Sequence, residues 1–172
     1  MPKGEPILMN TDQLILVLIW IIAPAAMVLF VRRGTWPQFA LAFLLCQSFT
    51  WVTVILHVKF GIFSYPVREF PKATEMGFTM QYLLYPTVCG LYQLRKPEGT
   101  PLRRILYMLL PWTVGITIFH WLLGEYTGLL EYNRSHSVWV WMIITLNFVL
   151  VSIISRWFFK DPAAFKTEER IL

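Results

Sequence analysis

Charged residues are scarce in this sequence. Asp, Glu, Lys and Arg account for 15% of the 172 residues, hydrophobic residues account for 56%, and the mean hydropathy is +0.55. A soluble domain usually carries about 25% charged residues. The shortage of charge excludes an ordinary soluble globular protein and predicts an integral membrane protein.

Cysteine and the short motifs of familiar enzyme classes are also scarce or absent. The two cysteines, Cys46 and Cys89, both fall within apolar stretches, so they predict neither a structural disulfide nor a metal site. The sequence has no G-x-S-x-G, P-loop, dinucleotide-binding, D-x-D or C-x-x-C motif. We therefore expect no cofactor, no bound metal and no nucleic-acid partner.

Long apolar stretches are what the sequence does contain. Crossing a hydrocarbon layer of about 30 Å takes roughly 20 helical residues, and five stretches approach that length. The predicted fold is all-α: a single membrane domain over 1–172, built as a bundle of five transmembrane helices. The predicted spans are 12–31, 37–58, 78–94, 104–125 and 138–159, and residues 160–172 are predicted to form a cytoplasmic tail.

Lys and Arg are distributed unevenly between the predicted loops. With the N-terminus outside, ten of the 15 Lys and Arg residues fall on the inner side and five on the outer side. Membrane proteins keep an excess of Lys and Arg in their cytoplasmic loops. The distribution predicts a multi-pass protein with an outer N-terminus and a cytoplasmic C-terminus. Attraction to anionic lipid explains the inner basic loops better than nucleic-acid binding does.

The predicted outer loop between the second and third spans concentrates charge and proline. Its segment Ser64–Glu75, SYPVREFPKATE, contains Pro66 and Pro71, which hold the residues before them extended and prevent a continuous helix. The aromatic and aliphatic residues of the loop indicate an ordered segment at the membrane interface. The charged residues of the segment are Arg68, Glu69, Lys72 and Glu75.

Three interpretations of these charges stay open. They can pair with one another, if a short helical turn from Pro71 brings Lys72 next to Glu75. Alternatively, Arg68 and Lys72 can hold a phosphate or carboxylate at the outer leaflet, Arg through its forked guanidinium and Lys as a point charge. The third interpretation is contact with another protein.

Polar residues recur at helical spacing in four of the five predicted spans. The simplest interpretation is that spans two to five pack with these faces inward while the first span lies at the periphery. The stripes are Cys46, Thr50, Thr53 and His57; Gln81, Tyr85, Cys89 and Tyr92; Thr113, Thr117, His120 and Gly124; and Thr145, Ser152 and Ser155 with Asn147 beside them.

Some of these residues lie near the predicted outer ends of their spans and can surround a pocket covered by the loop charges. Intramembrane ionisable residues are candidate site residues. Besides helix packing, two histidines allow acid–base catalysis, proton relay or, with a glutamate, zinc ligation, although no local zinc motif is present. The candidate binding residues of the spans are His57, Gln81, Tyr85, His120 and Glu125.

The segment Phe63–Pro86, FSYPVREFPKATEMGFTMQYLLYP, resembles an uncharacterised family of small five-span integral membrane proteins from Bacillus- and Clostridium-type spore-forming bacteria. The resemblance covers mainly the loop and the third span. It implies a protein of the bacterial cytoplasmic membrane and suggests a link to sporulation. No established activity comes with it.

Together these features predict a binding or docking surface for an anionic small molecule or a lipid headgroup, formed by the outer loop and the adjoining helix ends. One alternative is a membrane-embedded enzyme that uses His and Glu for acid–base or metal chemistry. Another is an oligomeric or accessory subunit of a membrane complex. The expected partners are the lipid bilayer, including anionic lipid, and a second copy of the chain or another membrane protein.

Overall fold

The computed structural model describes residues 11–70, 72–95, 109–132 and 137–159. A 3-10 turn, Arg33–Thr35, precedes the second helix, and a π-helical turn, Met80–Leu84, precedes the third. Two short strands are β1 (Phe63–Ser64) and β2 (Glu131–Tyr132). The five helices of the described residues are α1 (Thr11–Phe30), α2 (Trp36–Lys59), α3 (Tyr85–Leu94), α4 (Leu110–Tyr126) and α5 (Ser137–Phe158).

Three helical segments of the described chain are long and apolar enough to cross a membrane: Thr11–Phe30, Arg33–Lys59 and Val138–Phe158. Large apolar side chains are exposed on them, as lipid-facing helices require; on α1, Val28 and Leu29 are each 76% exposed. The prediction of a helical membrane protein is confirmed at this level. The arrangement as five spans stays a prediction, because α3 and α4 are shorter within the described residues.

Successive helices run in opposite directions, so their termini lie at the two ends of the bundle. At one end, the Asp12 carboxylate at the start of α1 accepts a hydrogen bond from the N–H of Gly128, which follows α4, with 3.3 Å to each oxygen. At the other end, the Arg95 guanidinium lies 4.7 Å from the centre of the Phe30 ring. We call the end of the bundle that carries β1, β2 and Asp12 the loop end.

The two loops of the loop end are joined to each other. β1 and β2 pair antiparallel, with Phe63 opposite Tyr132 and Ser64 opposite Glu131. Ser64 Oγ donates to Glu131 Oε2 at 3.1 Å, and the N–H of Val67 donates to the Gly128 carbonyl at 2.9 Å. The loop after α2 and the loop after α4 therefore form one layer over the helix ends.

Gly61 makes the turn from α2 into β1. Its φ of +63° is a left-handed conformation that suits glycine. The N–H of Gly61 donates to the Val58 carbonyl at 3.0 Å, and the N–H of Ile62 donates to the His57 carbonyl at 2.8 Å. This is the hydrogen-bond pattern of a Schellman motif, which satisfies the last carbonyls of a helix. It fixes the position of His57 relative to the strand that follows.

The π-helical turn before α3 is closed by the N–H of Tyr85, which donates to the Met80 carbonyl, and the next residue, Pro86, has no N–H. In a π-turn an N–H at position 86 would be donated to the Gln81 carbonyl, so this carbonyl needs another partner. Thr50 Oγ1 of α2 lies 3.4 Å from it, and Cys46 Sγ lies 3.8 Å from the Tyr85 carbonyl. α2 packs closely against α3 here, and the predicted polar stripes face the interior.

Candidate functional site

A cavity of about 50 Å³ lies among the helices beneath the loop layer. A water molecule needs about 10–15 Å³ measured in this way, so the cavity has room for a few waters or a small ligand. The exposed surface of its wall comes mainly from apolar atoms, as is typical of ligand sites, although half of the 16 lining residues have polar side chains. The polar lining residues are Thr50, Thr53, His57, Tyr65, Gln81, Tyr85, His120 and Asn147, and the apolar ones include Val54, Phe63, Ile116, Val140 and Phe148.

His57, in the last turn of α2, forms one side of the cavity. Its Nδ1 hydrogen bonds to the backbone carbonyl of Thr53, one turn earlier. Its ring stacks on Phe63 of β1, with ring centres 5.1 Å apart and planes 17° apart. Because the carbonyl can only accept, Nδ1 carries the proton, and Nε2 of the neutral ring is an acceptor.

His120, on α4, lies on the other side of Phe63, whose ring centre is 5.7 Å away. Its Nδ1 is 2.6 Å from the hydroxyl of Tyr132 in β2. Burial raises the pKa of Tyr132 to about 12, so the phenol keeps its proton at neutral pH. The pairing of β1 with β2 thus places one aromatic residue against both histidines and a second one on His120.

Gln81, in the π-helical turn, forms the third side of the cavity. Its Nε2 donates to the hydroxyl of Tyr65 at 3.2 Å, and burial holds the pKa of that phenol well above its usual range. The Oε1 atom of Gln81 is buried and has no hydrogen-bond partner within the described part of the chain. Such an atom costs about 1–3 kcal/mol if it stays unsatisfied, so a polar guest in the cavity would relieve this cost.

The loop charges lie outside the cavity. Glu69 accepts two backbone hydrogen bonds, from the N–H of Phe78 at 3.0 Å and the N–H of Thr79 at 2.9 Å. It therefore caps the helix that leads into α3 and carries Gln81. Lys59 and Glu75 form an exposed ion pair at 3.9 Å, which contributes about 0–1 kcal/mol.

The remaining charged candidates have fewer contacts. Arg68 is half-buried, and its Nε is enclosed without a hydrogen-bond partner among the described residues. Lys72 is exposed in a segment of turns and bends, and the helical turn expected over 71–77 does not form in residues 72–77. Glu125 is exposed at the end of α4. Lys72 and Glu75 therefore do not form the pair that the spacing suggested.

The structure brings four of the nine candidate residues together around one cavity: His57, Gln81, Tyr85 and His120. It places Arg68, Glu69, Lys72, Glu75 and Glu125 outside this lining. Sequence reasoning missed Phe63 and Tyr132 as partners of the histidines, Tyr65 as the partner of Gln81, and Asn147 as a residue of the cavity lining. The aromatic content of the loop was the only available signal for Phe63 and Tyr65, and no periodic pattern pointed to Tyr132.

The chemistry open to this site is hydrogen bonding and proton exchange. Each histidine uses Nδ1 in a hydrogen bond within the protein, which leaves Nε2 for a guest. In the described ranges, no group of three or more His, Cys, Asp and Glu residues is placed to hold a metal ion. Acid–base catalysis by the histidines stays a prediction.

No protein-family model matches this chain, and no curated protein or solved structure matches it either. The resemblance of Phe63–Pro86 to a family from spore-forming bacteria therefore stays a prediction. The function of the site has to be argued from its own geometry.

Proposed function

We propose that this protein is a multi-pass protein of the bacterial cytoplasmic membrane that binds a small polar ligand in the cavity beneath its loop end. The observation that carries the proposal is the buried Gln81 Oε1, which lacks a partner among the described residues and belongs to a side chain that lines the cavity together with two histidines. Buried polar atoms are nearly always hydrogen bonded. A bound ligand supplies the missing bond.

We further propose that the chain crosses the membrane five times, with the loop end outside. The 17 residues of α4 extend for about 26 Å, close to the thickness of a bilayer core. Among the described residues, the opposite end carries four arginines and no other charged residue, while the loop end carries three basic residues, Lys59, Arg68 and Lys72, and all five acids. The acids are Asp12, Glu69, Glu75, Glu125 and Glu131, and the arginines are Arg32, Arg33, Arg95 and Arg156. In the full sequence the predicted inner segments hold ten of the 15 Lys and Arg residues, and this excess favours a cytoplasmic position for the arginine-rich end.

A pair of matched variants tests the cavity. Val140 is 3% exposed and lines the cavity, whereas Val138, two residues earlier, is 65% exposed. Val140→Phe would fill the cavity, and Val138→Phe would leave it open. In a thermal-shift screen of small polar molecules in detergent, we expect a ligand that raises the melting temperature of the parent and of Val138→Phe but not of Val140→Phe.

Two results of this screen would count against the proposal. The first is a ligand that stabilises Val140→Phe as much as the parent, because it would bind elsewhere. The second is the lack of any stabilising molecule in a library that covers neutral, cationic and anionic compounds of a few heavy atoms.

A second candidate function is the docking of an anionic lipid headgroup on the loop surface. Arg68 Nε has no hydrogen-bond partner, and Lys72 has no ion-pair partner, within the described residues. The described lining of the cavity contains no Lys or Arg, so the anionic ligand expected from the sequence belongs at this surface and not in the cavity. Here Arg would hold a phosphate by its fork, as lipid phosphates require.

Native mass spectrometry of protein in nanodiscs tests whether the loop surface binds an anionic lipid headgroup. Substituting both Arg68 and Lys72 by Gln should lower retention of phosphatidylglycerol relative to phosphatidylcholine by several-fold. Lys59→Gln is the matched control, because Lys59 is paired with Glu75. Equal retention by the double variant and the control would rule out this docking surface.

A further inference from the structure

Hydrogen bonds within the protein determine which atoms of the cavity wall can accept. Nδ1 of His57 donates to the Thr53 carbonyl, so the unprotonated nitrogen of the neutral ring is Nε2. The stack on Phe63 holds the plane of the ring. His57 therefore presents a hydrogen-bond acceptor.

Gln81 presents a second acceptor. One N–H of its amide nitrogen donates to the Tyr65 hydroxyl, and the residue is only 2% exposed. Oε1 is the atom left without a partner in the described part of the chain. The two residues that carry these acceptors come from different helical segments and line the same small cavity, and no described lining residue is a Lys or Arg that could donate to them.

We propose that the ligand of this cavity is a hydrogen-bond donor, an amine, ammonium or hydroxyl group, that donates to His57 Nε2 and Gln81 Oε1. This inference rests on the proposed function and specifies its ligand class. A carboxylate or other group that only accepts would leave both protein acceptors unsatisfied, which disfavours binding. An ammonium group would in addition be attracted electrostatically by the aromatic lining residues, which a neutral hydroxyl would not be.

Nitrogen NMR of the full chain in lipid nanodiscs tests the ligand class. Protein labelled with ¹⁵N at histidine is titrated with methylammonium chloride, methanol or sodium formate at constant ionic strength. The His57 resonances are assigned by their loss in His57→Phe. We expect methylammonium or methanol to cause a saturable shift of the Nε2 resonance, and formate to cause none. The Kd should be about 1 mM or weaker, because each probe has so few atoms.

Two glutamine variants provide the matched comparison. Gln81→Met keeps the length of the side chain but removes the acceptor, and we expect it to weaken donor binding at least about tenfold, a typical effect of losing a hydrogen bond in a buried site. Gln47→Met, on α2 but outside the cavity lining, should bind as the parent does. If Gln81→Met does not fold, the comparison of the three probes on the parent decides by itself.

The outcomes distinguish an amine ligand from a hydroxyl ligand. They also distinguish failure of the donor assignment from failure of the proposed ligand binding. A shift with methylammonium alone assigns a cationic amine, and a shift with methanol alone assigns a neutral hydroxyl. A saturable shift with formate alone overturns the donor assignment while ligand binding in the cavity stands. The lack of a shift with all three probes, together with no stabilising ligand in the Val140→Phe screen, overturns both.

Discussion

Glu69 is predicted to stabilise the start of the helix that carries Gln81, and Glu69→Gln tests this role. The carboxylate oxygens accept hydrogen bonds from the N–H groups of Phe78 and Thr79 at 3.0 and 2.9 Å. These N–H groups have no partner within the helix, because they belong to its first turn. A glutamine can still accept one of the two bonds through its single carbonyl oxygen, but it carries no charge.

The size of the effect follows from this geometry. A hydrogen bond to a charged group contributes about 1.5–3 kcal/mol, and a carboxylate at a helix N-terminus gains about 0.3–1 kcal/mol from the helix dipole. Glu69 and Phe78 are partly exposed, although Thr79 is buried, and this exposure reduces both contributions. We therefore expect Glu69→Gln to lower the free energy of unfolding by about 2 kcal/mol.

Reversible unfolding in bicelles measures this loss, and hydrogen exchange at Phe78 and Thr79 shows where it occurs. Both amides should exchange faster in Glu69→Gln. Glu125→Gln is the control, since Glu125 is an exposed acid at the same end of the bundle and should change stability by less than about 0.5 kcal/mol. If Glu69→Gln matches Glu125→Gln in stability and exchange, the capping role is refuted.

Three further predictions concern the loop end. Gly124→Ala would place a Cβ in steric overlap with Cε2 of Tyr132, so we expect the free energy of unfolding to fall by about 1–3 kcal/mol and the His120 resonance to change. Gly115→Ala, with no atom within 4 Å of its Cβ, should not destabilise the protein. Equal effects of the two substitutions in unfolding measurements would contradict the packing. The pKa of Tyr132 is raised to about 12 in the folded protein, against about 10 when unfolded, so stability that is complete below about pH 10 should fall as pH rises to 12. Tyr132→Phe should flatten this fall, and an unchanged slope would contradict it. A cysteine introduced at the exposed Ala73 should react with a membrane-impermeant maleimide on intact cells, and labelling only after lysis would invert the proposed orientation.

Helical periodicity predicted the inward faces of the bundle well. Cys46, Thr50, Thr53 and His57 share one face of α2 by spacing, and the structure places all four at the cavity. The reason is physical: in lipid, polar side chains must find partners within the protein, so their spacing reports the interior face directly.

The roles of the loop charges could not be predicted in the same way. Glu69 lies next to Arg68 in sequence, but its partners are backbone N–H groups nine and ten residues further on. Backbone groups leave no mark in a sequence, so the spacing of charges suggested ion pairs instead. Tyr132 was missed for a related reason, since its contact with His120 depends on the pairing of two-residue strands from loops far apart in the chain.

A crystal structure of the protein grown in a lipid phase tests the central claim most directly. The account predicts non-protein density in the cavity, within hydrogen-bond distance of both His57 Nε2 and Gln81 Oε1. A cavity closed by the surrounding side chains, with Gln81 Oε1 bonded to another protein group, would contradict it.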